Sequence, residues 1–183
     1  QRTAVLSGNP PSSGAGCEVF AGEDSRDEAG MSFALVKLGA VVTNLSPSFG
    51  QSTTAGNLLV AIVTGNNTAN AITCGDGTWS SPTTGVFTGS PGGAAIFYKA
   101  NCSANETAPT FSQTSATTMD AQLIEFSGAA TSSPSDRSVN GNTTSGSSLT
   151  LTNSFADTKT DDVAVAVFFC TGSKSGTATF AHS

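Results

Sequence analysis

The side chains able to do chemistry are few and scattered. His182 is the only histidine and lies one residue from the end of the chain. A serine or cysteine nucleophile ordinarily needs a base beside it, and the Gly-x-Ser-x-Gly turn that presents such a serine does not occur. Its nearest likeness, Gly172-Ser173-Lys174-Ser175-Gly176, puts Lys174 where the nucleophile would stand. No helix pattern follows to cradle a phosphate, so the segment reads as a loop. Glycoside hydrolysis requires two carboxylates flanking one bond. Asp120 and Glu125 come nearest, but their odd spacing puts them on opposite faces of a strand; solvated edge residues are expected. A calcium ion needs several oxygen ligands at one point. Asp76, the pair Asp161-Asp162 and the Glu23–Glu28 cluster read as solvated turns instead. No catalytic residue, cofactor or metal is expected.

Binding chemistry has one aromatic carrier. Trp79, in Gly77-Thr78-Trp79-Ser80-Ser81-Pro82, is the single tryptophan. After a tight turn it reads as a plug at the end of a sandwich; on an exposed concave patch it would be a sugar platform, with Phe87 and Tyr98 as companions. The four cysteines, Cys17, Cys74, Cys102 and Cys170, are widely spaced and form no Cys-x-x-Cys pair, which excludes zinc-ribbon and thioredoxin-type readings. Disulfides suit an oxidising compartment. Cys74 with Cys102 is the preferred pair, because both stand near strand ends beside polar loops, although spacing does not select among the pairings. Cys170 reads equally as a small core residue. Asn-x-Ser/Thr triplets at Asn44, Asn66, Asn101, Asn105 and Asn142 would accept glycans only in a eukaryotic secretory route.

The elements that must position these groups are strands. Charged residues make up 11% of the 183 residues, against an ordinary share of about 25%. Ser, Thr, Gly, Asn and Ala fill the difference, and the Glu, Lys and Arg that coat long helices are scarce. Short apolar runs alternate with polar turns. Phe33 to Val42, Leu58 to Val63, Ile72 to Cys74, Ala94 to Ala100 and Ala121 to Phe126 are predicted strands, followed by Leu149–Leu151 and Val163–Cys170. The continuous apolar run Leu58–Val63 predicts a strand covered on both faces. In the last segment, Val163, Val165, Val167 and Phe169 share one face, and the small Ala164 and Ala166 lie on the other, as a face for close coverage by a loop, an arm or another subunit. Residues 1–30 differ from the rest, with the turn-rich Asn9-Pro10-Pro11-Ser12-Ser13-Gly14 and a dense charged cluster. They read as an irregular arm ahead of a β-sandwich domain over 31–183.

The net charge of −6 supplies no basic footprint for nucleic acid or an anionic membrane surface. No apolar run approaches the ~20 residues of a membrane-spanning helix. The start at Gln1 reads as that of a processed or trimmed chain, and Thr177–Ser183 reads as a strand without a closing turn, as if the chain continued.

The segments Ala55-Gly56-Asn57-Leu58-Leu59-Val60-Ala61, Ala95-Ile96-Phe97-Tyr98-Lys99-Ala100, Ala121-Gln122-Leu123-Ile124-Glu125-Phe126-Ser127-Gly128 and Asp161-Asp162-Val163-Ala164-Val165 together resemble jelly-roll-like β-sandwich domains of phage tail and capsid-surface proteins and of secreted bacterial surface proteins. The likeness spans about residues 50–175. It implies an antiparallel two-sheet sandwich with a structural, decorative or adhesive role, and it brings no catalytic residues. The expectation is a non-enzymatic extracellular domain on a virion or cell surface, self-associating or joined to other surface proteins. The alternative is a carbohydrate-binding module.

Overall fold

The computed structural model of the chain describes residues 2–6, 19–23, 33–43, 52–67, 70–82, 86–89, 92–107, 109–135, 138 and 165. Every regular element among them is a strand: β1 (Arg2–Leu6), β2 (Val19–Glu23), β3 (Ala34–Leu38), β4 (Leu58–Gly65), β5 (Ile72–Cys74), β6 (Val86–Gly89), β7 (Gly92–Lys99), β8 (Phe111–Gln113) and β9 (Met119–Ser127). All pairings are antiparallel. A five-stranded sheet runs β3-β9-β4-β7-β6, and β1-β2 and β5-β8 form two-stranded sheets.

Two of the three interior strands of the large sheet, β4 and β9, are rich in apolar residues because both their faces are covered. All eight residues of β4 are buried, as are all but the last of β9. Period-two alternation deals their side chains to two separate cores. On one face Leu59, Ala61 and Val63 meet Ala95, Phe97, Ala121 and Leu123, and the small β5-β8 sheet covers them with Ile72 and Phe111. Phe97 and Phe111 stack at 5.4 Å between centroids, and Trp79 meets Phe111 edge-on at 6.4 Å. On the other face Leu58, Val60, Ile62, Ile124 and Phe126 pack with Phe33, Leu35, Ile96, Tyr98 and Val165. Val165 is the described residue of the late apolar segment, and it lies against this second core.

Amide side chains tie the loops at one end of the sheet. Gln113 is buried and acts as a surrogate peptide group. Its Oε1 accepts from the Asn67 backbone N–H at 3.0 Å, and its Nε2 donates to the Asn67 and Asn70 carbonyls at 3.0 and 2.8 Å. Asn66 Oδ1 accepts from the Thr117 and Thr118 backbone. A Cβ at Gly65 would stand 2.2 Å from Gln113 Oε1, so Gln113 keeps this position only because residue 65 is glycine.

β3 carries a bulge. Leu35 pairs with Phe126 and Lys37 with Glu125, which leaves Val36 as an extra residue. Simple alternation from Leu35 would send Lys37 to the Phe126 side. The extra residue resets the alternation and puts Lys37 on the opposite face, beside Glu125.

The predicted strands from Phe33 to Phe126 are present, and β6 and β8 add to them. Two expectations change. Residues 1–30, read as an irregular arm, contain the β1-β2 ladder, in register from Arg2↔Glu23 to Leu6↔Val19; Thr3, Val5, Val19 and Phe20 are residue types that favour strands. Asp120 and Glu125, read as solvated edge residues, lie at 6% and 0% exposure on an interior strand. Ala164, Ala166, Cys17, Cys170, His182 and the Leu149–Leu151 segment lie outside the described residues.

Phe111 is fully buried and joins both Phe97 and Trp79. Phe111→Ala is expected to lower unfolding free energy by about 3–5 kcal/mol, read from the urea midpoint. Unchanged stability would mean that β8 does not close this core.

Candidate functional site

The densest polar chemistry among the described residues gathers where β3, β9, β4 and β7 lie side by side. The register sets Lys37, Glu125, Leu59 and Lys99 in one row across the four strands. Alternation puts all four on the face that otherwise holds Leu123, Ala61 and Phe97. Glu125 is therefore the single carboxylate projecting from β9 into an apolar layer, and its whole residue is at 0% exposure.

Each atom of that carboxylate has a defined neighbour. Oε1 accepts from the Thr54 backbone N–H at 2.8 Å and from Asn57 Nδ2 at 2.7 Å. Oε2 faces Lys37 Nζ at 3.4 Å and has no hydrogen bond. Lys37 Nζ also donates to the Ser52 carbonyl. Burial pushes the Glu125 pKa up. The Thr54 and Asn57 hydrogen bonds and the Lys37 charge outweigh it and hold the carboxyl below the ordinary 4.5.

A second ion pair extends the cluster. Lys99 Nζ donates to Glu106 Oε2 at 2.8 Å, and Glu106 Oε1 accepts from the Ser103 backbone at 2.7 Å. Burial raises the Glu106 pKa, but Lys99 and the Ser103 N–H bring it below 4.5. Between the two pairs runs segment 52–57. Thr53 Oγ1 accepts from the Glu106 N–H and donates to the Ser103 carbonyl. Gly56 N–H donates to the Cys102 carbonyl, and Cys102 N–H donates to the Asn57 carbonyl. Gly56 makes this turn with a φ of +87°, where side-chain-bearing residues are strained.

The residues singled out from sequence fall elsewhere. Cys74 and Cys102 are free thiols, so the expected disulfide is not formed. Cys102 is turned to segment 52–57, its Sγ 3.1 Å from the Thr54 carbonyl, while Cys74 stands on β5 opposite Phe111. Burial raises the pKa of both thiols. Trp79 is buried at 8% exposure against Phe111 and offers no open aromatic platform. Asp76 closes its own turn, accepting from the Thr78 backbone and hydroxyl at 3.0 and 2.7 Å, which lowers its pKa. Asp120 accepts from Thr43 Oγ1 at 2.7 Å on the face opposite Glu125. A depression beside it, lined by Val41, Ile62, Thr64 and Gln122, is too shallow to enclose a ligand. Among the described residues no three His, Cys, Asp or Glu side chains converge on one point, and no helix is long and apolar enough to cross a membrane.

Sequence reasoning passed over Lys37, Asn57, Lys99 and Glu106. A signal did exist for Glu125, a charge inside the run Leu123-Ile124-Glu125-Phe126. The partners had none, because the bulge that aims Lys37 and the loop that brings Asn57 are tertiary features.

No family model, no curated protein and no solved structure matches this chain.

A carboxyl whose folded pKa lies below its unfolded value contributes stability above the unfolded value and loses it as pH falls through the folded one. Glu106→Gln is therefore expected to be less stable than the parent at neutral pH by on the order of 1 kcal/mol. The gap should narrow as pH falls below the ordinary glutamate range and close once it passes the lower folded value, followed by urea titrations over a pH series. A gap that stays constant into acid would show that the Glu106 charge contributes nothing.

Proposed function

We propose that the chain is a non-enzymatic structural or decoration domain of jelly-roll-like β-sandwich type, acting extracellularly on a virion or cell surface within a repeated assembly. The observation that carries this reading is the engagement of four carboxylates among the described residues. Glu125, Glu106, Asp120 and Asp76 each bond to an internal partner that fixes a loop or a strand. A hydrolytic pair would face a common cleft with a path for water; here Asp120 and Glu125 point to opposite faces of one sheet.

The sandwich reading rests on the two cores. A sheet whose interior strands are apolar on both faces needs a covering layer on each. The β5-β8 sheet supplies one, and Val165 belongs to the segment that would supply the other. The partners would be further copies of the chain or other surface proteins. Composition favours this, since a surface poor in charge and rich in Ser, Thr and Asn makes broad, water-bridged contacts. A carbohydrate-binding role loses its aromatic carrier with Trp79 packed on Phe111.

Native material is expected to form a regular array, ring or filament, by mass measurement and direct imaging. A monodisperse monomer across the accessible concentration range would overturn the assembly reading.

A further inference from the structure

Lys37, Glu125 and Asn57 form a reactive arrangement as well as a structural one. A lysine amine and an asparagine carboxamide stand on either side of one buried carboxylate. Glu125 Oε1 lies 2.7 Å from Asn57 Nδ2, and its Oε2 lies 3.4 Å from Lys37 Nζ. Asn57 is at 8% exposure, and Leu59 stands directly across the sheet from Glu125 at 1%. Glu125 and Asn57 are thus shielded from water, Lys37 is partly exposed at 21%, and proton transfers between the three groups are short. Oε2, otherwise without a hydrogen bond, faces the amine.

From this geometry we propose that Lys37 and Asn57 join in an intramolecular amide bond, with Glu125 carrying the protons. Glu125 takes one proton from the Lys37 ammonium. The neutral Nζ then adds to Asn57 Cγ, forming the new N–C bond. Glu125 returns its proton to Nδ2, the Cγ–Nδ2 bond breaks, and ammonia leaves. The second proton lost by Nζ departs with it, so the products are the amide and one ammonium ion. Charge is conserved, and no oxidant or cofactor takes part. General acid–base help of this kind depends on a group within hydrogen-bond reach of the proton it moves, and Glu125 is within that reach of the leaving nitrogen. The ionised state of its carboxyl is the one able to accept the first proton.

The topology gives the bond a purpose. In the sheet order β9 lies between β3 and β4. An amide from Lys37 on β3 to Asn57 at the entrance of β4 would bridge over β9 and pin the outer strand covalently. The inference stands on the site alone, so it survives or fails separately from the assembly reading.

The test is peptide mapping of the purified, folded chain by tandem mass spectrometry. The expected result is one branched peptide joining the Lys37 and Asn57 segments, lighter than their sum by one ammonia, with no cleavage after Lys37 by trypsin. Intact mass alone does not decide, since cyclisation of Gln1 also releases ammonia. Lys37→Arg keeps the charge beside Glu125 and removes the nucleophile; the branched peptide should vanish from it. Glu125→Gln should lower its yield at least tenfold, a loss of about 1.4 kcal/mol or more in barrier terms. Linear peptides with unmodified Lys37 and Asn57 from the folded parent chain would overturn the proposal, whatever the variants do.

Discussion

The structure is organised around a negative charge placed where solvent does not reach. An isolated carboxylate in an apolar layer is strongly unfavourable. Glu125 is tolerable because two donors and a cation arrive from separate parts of the chain. Thr54 and Asn57 come from the loop before β4, and Lys37 comes from β3. None of the three is local in sequence to Glu125. The loop before β4 and the bulge in β3 are therefore consequences of one buried charge. Each must adopt the conformation that delivers its donor, or the desolvation of Glu125 goes uncompensated.

Such an arrangement is better at selecting a structure than at adding stability. A hydrophobic residue at the same position would bury as well and need no partners. The gain lies in register. β9 carries apolar residues on both faces, so slipping it by one residue would still bury hydrophobic side chains and would be only weakly opposed by the hydrophobic effect. Glu125 removes that ambiguity. A one-residue slip would drive the carboxylate onto the face of Leu58, Val60 and Ile62, where no cation stands among the described residues. Gln113 does similar work at the other end of the sheet, where an amide with three backbone bonds fixes Asn67 and Asn70 against β8.

What could be read from the residues follows the same division. β4, β5, β7 and β9 were legible because period-two patterning and continuous apolar runs are local signals. Alternation along β7 sends Ile96 and Tyr98 to one core and Phe97 to the other. The ladder in residues 1–30 was hidden by its long turn-rich connection, which outweighed two short strands in the composition of that segment. The polar cluster was hidden for a different reason. Charge in a strand usually marks a wet face, so Glu125 and Asp120 read as solvated. Burial inverts that rule only when partners converge, and convergence is a property of topology. Cys74 and Cys102 illustrate the converse error: proximity to polar loops suggested pairing, whereas Cys102 is held by the loop that serves Glu125.

The two ion pairs also explain why a chain so poor in charge keeps these few. Lys37–Glu125 and Lys99–Glu106 flank segment 52–57, one on each side, and together with Thr53 they fasten it to strands that are not its neighbours in sequence. Exposed pairs of this kind would contribute little. Here the side chains are at 21% and 0% exposure in one pair and 16% and 10% in the other, so each is screened far less. Among the described residues these four charges thus sit where they have structural effect, in the shell that fastens segment 52–57 to the sheet.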